Sequence, residues 1–147
     1  MTHPKWLVLT WRLDSGSSTP RVATWRILKR MGAVLLTPGA AVVPYTEDLL
    51  EQLEWQAQRI ADAGGDAWVL PVTELTDREE ARIRGRMRAA REQEYDALRT
   101  LASEPATRRR LAALEDGYRA IVARDHFASA GRAATRRAID RAERIAH

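Results

Sequence analysis

The fold class is decided by residues 33–44, which read Ala33-Val34-Leu35-Leu36-Thr37-Pro38-Gly39-Ala40-Ala41-Val42-Val43-Pro44. Two short apolar runs meet here at Pro38-Gly39. The pair predicts a type II turn, because proline fixes φ at about −65° and glycine tolerates positive φ. Strands joined so tightly run antiparallel as a hairpin, whereas parallel strands need a long crossover between them. The hairpin therefore disfavours a doubly wound parallel sheet.

Two strands and two helices flank the hairpin. Residues 5–13 and 67–72 are rich in aromatic and β-branched side chains, which predicts a strand in each. Residues 20–31, and the segment from Thr46 to Gly64, carry apolar side chains at helical spacing and end at glycines, which predicts two helices. The order strand, helix, strand, strand, helix, strand predicts a ferredoxin-like sandwich of the α+β class. We expect strand order 4-1-3-2, with both helices on one face of an antiparallel sheet.

The rear half of the chain shows only helical signals. A capping box at Thr76 begins a helix that we expect to reach about Ser103, and two shorter helices follow, at about residues 106–123 and 132–146. We expect residues 1–75 to form the ferredoxin-like domain and residues 76–147 to form a helical extension packed on it as one structural unit. The long helix has a thin apolar stripe, made of Ile83, Met87, Ala90, Tyr95, Leu98 and Leu101.

The thin stripe and the fourth strand are the two surfaces on which we predict self-association. One domain is not expected to cover the whole stripe, and an amphipathic helix must bury its apolar face somewhere. The sequence therefore predicts a homodimer that uses the fourth strand or the rear helices.

The composition excludes several kinds of chemistry. The chain has 147 residues, 24 basic and 20 acidic side chains, and no cysteine, so disulfides, thiolate metal sites and cysteine nucleophiles are excluded. The three histidines, His3, His126 and His147, are too scattered to predict a metal cluster or a catalytic triad. We predict no catalytic residue, no metal site and no cofactor. No secretory signal and no long apolar run are seen, which favours a cytoplasmic protein without a membrane partner.

The first helix carries the clearest functional signal. Its basic residues, Arg21, Arg26, Lys29 and Arg30, are the predicted anion or nucleic-acid site. Arg21 projects between Trp25 and Leu28 near the helix start, where positive potential and a guanidinium suit a small oxyanion or a phosphate. The alternative is that Arg21 pairs with Asp14. The five tryptophans are expected in the sandwich core, with a base-stacking role as the alternative.

Several short segments resemble the N-terminal region of the ChrB family of chromate-resistance regulators. These segments are Ser18 to Val22, Trp25 to Ala33, Val42 to Pro44, Ala63 to Trp68, Glu94-Tyr95 and Ala123 to Phe127. The resemblance implies transcription regulation, with DNA or the chromate oxyanion as possible partners. Full-length members continue into a second domain associated with chromate sensing, which residues 1–147 do not contain.

The front half is also similar to the middle domain of the PaaX repressors and to the small CRISPR-associated endoribonucleases, which are ferredoxin-like and often dimeric. Those nucleases carry a metal-binding aspartate at the end of the first strand. This sequence reads Thr10-Trp11-Arg12-Leu13-Asp14 there, which departs from the nuclease pattern. The leading hypothesis is a non-catalytic regulatory module that acts through dimerisation and a basic surface. A metal-dependent nuclease and a plain oligomerisation domain are the alternatives.

Overall fold

A computed structural model describes residues 3–13 and 19–146 of the chain. Contacts group the chain into two compact units, residues 1–83 and 84–147, and the long third helix begins in the first unit and ends in the second. Within the described residues, no helix combines the length and the apolar character needed to cross a membrane. The elements are β1 (Trp6–Arg12), α1 (Thr19–Arg30), β2 (Val34–Thr37), β3 (Ala40–Pro44), α2 (Glu47–Asp62), β4 (Asp66–Val72), α3 (Asp77–Ala102), α4 (Arg108–Ala123) and α5 (Gly131–Ala146).

The first unit is built on a four-stranded antiparallel sheet. Its order is β2-β3-β1-β4, which confirms the predicted 4-1-3-2 arrangement and the α+β, ferredoxin-like fold class. β1 lies in the middle, where Val8 is opposite Val42 of β3 on one side and Leu70 of β4 on the other. β1 thus pairs on its two sides with strands that lie far from it in the sequence.

One face of the sheet and the two helices form the core of this unit. Leu7 and Leu9 of β1 point to the same face, because alternate residues of a strand do so, and they pack with Leu28 of α1 and Leu53 of α2. The two helices also contact each other, because the buried Gln56 side-chain amide of α2 donates to the Thr24 hydroxyl of α1 at 3.1 Å. Both helices therefore lie on one face, as predicted.

The β2–β3 hairpin forms, but its turn differs from the prediction. Gly39 does not have positive φ, so the predicted type II turn is wrong. Glycine is needed here for a different reason, because a Cβ at Gly39 would lie 2.6 Å from the backbone oxygen of Trp11. The Trp11 N–H donates to the Gly39 carbonyl at 2.8 Å. The β2–β3 pairing also has a register shift between Leu35 and Thr37.

The second unit is helical. Its core is formed by Tyr95 of α3, Leu114 and Ile121 of α4, and Ile139 of α5, all buried. Helices this amphipathic are held together mainly by such packing. That the extension packs on the ferredoxin-like domain as one unit stays a prediction.

The α3 stripe does not behave as expected. Ile83, Met87 and Leu98 are all less than a tenth exposed within the single chain. Leu101, at the end of the stripe, is 45% exposed. The single chain therefore covers most of the stripe, and the dimer stays a prediction.

The tryptophans also differ from expectation. Trp6 is buried, but Trp55 is 65% exposed, Trp68 is 63% exposed and Trp25 is 37% exposed. The expectation that all five belong to the core is therefore wrong. Trp68 points away from the helix layer, opposite to its neighbours Ala67 and Val69, which pack against the core.

Candidate anion-binding cleft and basic helix

The helix α1 is unusual in its charge. All four predicted site residues, Arg21, Arg26, Lys29 and Arg30, are exposed, and we call them the α1 basic surface. The helix contains no acidic residue. No ion pair joins these four side chains to any other residue in ranges 3–13 and 19–146. Lys29 and Arg30 also stand in the last turn, where cations stabilise the helix dipole.

Arg21 stands apart from the other three. At 100° per residue it lies about 140° around the helix from Arg26 and about 180° from Arg30. In the structure it lines a cleft of about 360 Å³ that Arg26, Lys29 and Arg30 do not line. The cleft is lined by Trp11, Arg12, Leu13, Arg21, Trp25, Leu35, Pro38 and Gly39. The structure thus divides the predicted site into a cleft and a solvent-facing set of cations.

The cleft is apolar except for its arginines. Trp11 and Leu35 belong to the helix-side face of the sheet, where they pack against the core of the first unit. Because strand side chains alternate, the Arg12 side chain leaves β1 on the other face of the sheet, and Arg21 is the cation on the α1 side of the cleft. Among the described residues that line it, none is acidic. The alternative pairing of Arg21 with Asp14 falls outside the described residues.

Sequence reasoning placed Arg21 beside Trp25 but missed the cleft residues of β1 and the hairpin. Trp25 follows Arg21 by four residues, which places both side chains on one face of α1, and that spacing was the available signal. Trp11 could not be found in this way, because the hairpin turn brings it to the cleft through a contact between distant parts of the chain.

Two short segments quoted for the family resemblance meet in the second unit. The Tyr95 hydroxyl donates to the Asp125 carboxylate at 2.9 Å, and the Arg124 guanidinium forms an ion pair with Glu94. Burial raises the pKa of Tyr95, and the hydrogen bond to Asp125 raises it further, so the phenol stays a proton donor. Glu94-Tyr95 and Arg124-Asp125 are thus partners in a structural contact.

Asp125 also holds the start of α5. Its carboxylate accepts from the Ser129 backbone N–H at 3.0 Å and from the Ser129 hydroxyl at 2.9 Å. Nearby, the Glu92 carboxylate of α3 accepts from the Gly131 N–H at 2.7 Å. These carboxylates satisfy N–H groups at the beginning of a helix, which the helix itself cannot satisfy. Both are structural groups, Asp125 buried and Glu92 half-buried.

A group of three carboxylates lies between α4 and α5. Oxygens of Glu115, Asp140 and Glu143 lie within 4.8 Å of one another. The Arg136 guanidinium donates to Glu115 at 2.5 and 2.9 Å and to Asp140 at 3.0 Å. The hydrogen bond from Arg136 holds the pKa of Glu115 below its ordinary value. The acidic charge is therefore offset by an arginine of the chain itself.

Comparison with known proteins gives two matches. The family described as "Protein ChrB, N-terminal" matches residues 21–103, more than half of the chain, from Arg21 of the cleft to the end of α3. Protein ChrB of Cupriavidus metallidurans is 35% identical over 79 residues, which make up 54% of this chain and 24% of that protein. The chain therefore spans about a quarter of the length of this relative. No solved structure matches the chain.

Proposed function

Because the chain belongs to the ChrB N-terminal family, as the resemblance of its segments indicated, we propose that it is a non-catalytic regulatory module of chromate resistance. The module acts in transcription by contacting the phosphate backbone of DNA through the α1 basic surface, and it does so as a dimer. The family match supports this proposal, because it includes the whole of the α1 basic surface.

The charge of α1 is the observation that carries the proposal. On α3, by contrast, two arginines form ion pairs with carboxylates about one turn away, Arg91 with Glu94 at 2.6 Å and Arg99 with Asp96 at 3.3 Å. On α1, four exposed cations have no such partner among the described residues. Exposed cations without acidic neighbours neutralise phosphates and release counterions, which is the main source of affinity for DNA.

A salt titration of DNA binding tests the proposal. Fluorescence anisotropy with a labelled duplex, between about 50 and 200 mM salt, gives the dependence of log K on log salt concentration. The double variant Arg26→Ala with Lys29→Ala removes two cations that lie outside the cleft. We expect binding to weaken and the slope to fall by about 2, one for each lost phosphate contact.

The matched control removes the same charge from another part of the first unit. Arg59→Ala with Arg78→Ala deletes two exposed arginines, on α2 and in the first turn of α3. We expect this control to bind DNA with the slope of the wild type. Equal losses in both double variants would show that only total charge matters and would contradict a site on α1.

Dimerisation is supported by the exposed apolar side chains of β4. Trp68 and Leu70 point away from the helix layer on this edge strand and are 63% and 45% exposed. Large apolar side chains exposed next to each other are typical of protein interfaces. The proposal is therefore a dimer in which β4 of each copy contributes Trp68 and Leu70.

A further inference from the structure

We propose that the cleft at Arg21 binds a small organic anion, consisting of a planar ring and one acidic group. This ligand site goes beyond the proposed contact with DNA: it shares Arg21 with the α1 basic surface, but the other three cations of that surface, Arg26, Lys29 and Arg30, do not line the cleft. The ring lies against the indoles of Trp11 and Trp25, and the acidic group pairs with the Arg21 guanidinium.

The walls of the cleft provide the place for the ring. Trp25 is 37% exposed on α1, and Trp11 is half-buried at the end of β1. Leu35 and Pro38 complete an apolar lining around a space of about 360 Å³. This volume is at the small end of the range of about 300–1,000 Å³ that ligand pockets occupy, and such pockets are mostly apolar and aromatic with few polar groups. A single ring system therefore suits the cleft.

The charge of the cleft provides the place for the acidic group. Arg21 has no ion-pair partner in the described parts of the chain, and the described lining residues include no carboxylate. A guanidinium presents a planar set of N–H donors that binds a carboxylate or a phosphate with two parallel hydrogen bonds.

The hairpin side of the cleft is fixed by backbone contacts. The Trp11 N–H donates to the Gly39 carbonyl at 2.8 Å. These two backbone segments pass so closely that a Cβ at Gly39 would lie 2.6 Å from the Trp11 backbone oxygen. The position of Trp11 relative to the turn is thus set before a ligand arrives. A preformed wall reduces the conformational entropy that is lost when a ligand binds.

A bare oxyanion fits this site less well than a ring with an acidic group. It would use Arg21 alone and would leave the indoles without a partner, and a single exposed ion pair contributes little free energy. Stacking on an indole adds a second, separate contribution. The proposal therefore predicts that ring and charge must occur in one molecule.

Isothermal titration calorimetry on the full chain tests this requirement. Two ligands carry both features, benzoate as an aromatic carboxylate and AMP as a nucleoside phosphate. Benzyl alcohol and adenosine carry only the ring, and inorganic phosphate and chromate carry only the charge. We expect benzoate or AMP to bind at least tenfold more tightly than its matched neutral ring and than both inorganic ions, and the tighter of the two identifies the ligand class.

Variants then place the binding in the cleft. We expect Arg21→Ala and Trp25→Ala each to weaken binding of the better ligand at least tenfold, and Arg21→Lys to restore part of the affinity. The matched controls Arg59→Ala and Trp55→Ala change exposed residues of α2 and should bind as the wild type does. The proposal is overturned if neither ligand binds, if chromate or phosphate binds as tightly as the best ligand, or if the controls lose as much affinity as the cleft variants.

Discussion

Asp125 shows how much a single residue can hold together in the helical unit. Its carboxylate accepts hydrogen bonds from Tyr95 of α3 and from Ser129, just before α5, and it is nine-tenths buried. Buried donors that lose their acceptor keep their full desolvation cost, so the acceptor contributes more than one ordinary hydrogen bond. Asp125 therefore connects three segments of the chain through hydrogen bonds.

Replacement of Asp125 by alanine should destabilise the protein strongly. The change leaves the Tyr95 hydroxyl and the Ser129 donors without their partner, which should cost roughly 3 kcal/mol of the free energy of unfolding. Urea denaturation followed by circular dichroism measures this value. Asp116→Ala, at an exposed position of α4, is the control and should cost less than about 0.5 kcal/mol. Equal costs in the two variants would show that the Asp125 contacts contribute nothing specific.

The positions of some side chains could be predicted from the sequence, and those of others could not. Arg21 was found because helix geometry alone puts it beside Trp25, and both line the cleft. The exposure of Trp55 and Trp68 could not be found, since a tryptophan of an amphipathic element is buried or exposed according to what packs on it. The Tyr95–Asp125 bond joins residues 30 positions apart, and no local pattern encodes such a distance.

The α4–α5 helix pair is joined by an ion pair whose strength depends on pH. Arg136 of α5 donates two hydrogen bonds to Glu115 of α4 and lies 4.9 Å from the centre of the Tyr118 ring. About a quarter of the Glu115 side chain is exposed, so water screens part of the attraction. The lowered pKa of Glu115 shows that the folded state favours the charged form.

Glu115→Gln should therefore destabilise the protein at neutral pH and not at low pH. A carboxyl whose folded pKa is lowered stabilises the fold fully above its ordinary value of 4.5, and this contribution disappears as the pH falls through the lowered pKa. We expect a loss of about 1 kcal/mol at pH 7 in urea denaturation, decreasing toward zero in strong acid. Glu54→Gln, exposed on α2, is the control. A loss that is independent of pH would contradict a role for the charge.

Most helices and strands could be predicted because their signals are local. Thr46, where the predicted helix segment begins, caps α2, with its hydroxyl accepting from the Leu49 N–H at 3.0 Å. The hairpin could be predicted from its apolar runs, but its turn could not, since the conformation of Gly39 depends on the approach of Trp11. Local patterns thus determine where an element begins and ends, and tertiary contacts determine the details of the turn.

For the whole molecule, the edge of the sheet decides how two copies can meet. The Trp11 N–H donates to the carbonyl of Gly39, which lies on the β3 side of β1. The backbone N–H and C=O groups of the odd-numbered β1 residues therefore point toward β3 and away from β4. Leu7 is opposite Pro71, and because the Leu7 backbone groups point away from β4, this pair shares no hydrogen bond. The Pro71 nitrogen therefore faces the open edge of the sheet, where it has no hydrogen to donate. A proline on an edge strand opposes strand-to-strand pairing. Two copies are thus expected to meet through the exposed side chains on the face of β4.

A dimer of this kind should depend on Trp68 and Leu70. Analytical ultracentrifugation of the wild type should show a dimer at high micromolar concentration. Trp68→Ser with Leu70→Ser should weaken the dimer at least about tenfold, because large aromatic side chains at the centre of an interface contribute most of its free energy. Trp55→Ser removes an equally exposed tryptophan from α2 and should leave the dimer mass unchanged.

Folding should tolerate all of these changes, since the side chains are exposed. A wild type that stays monomeric, or a double variant that dimerises as strongly as the wild type, would contradict the β4 interface, and loss of the dimer in Trp55→Ser would move the interface to the helix layer.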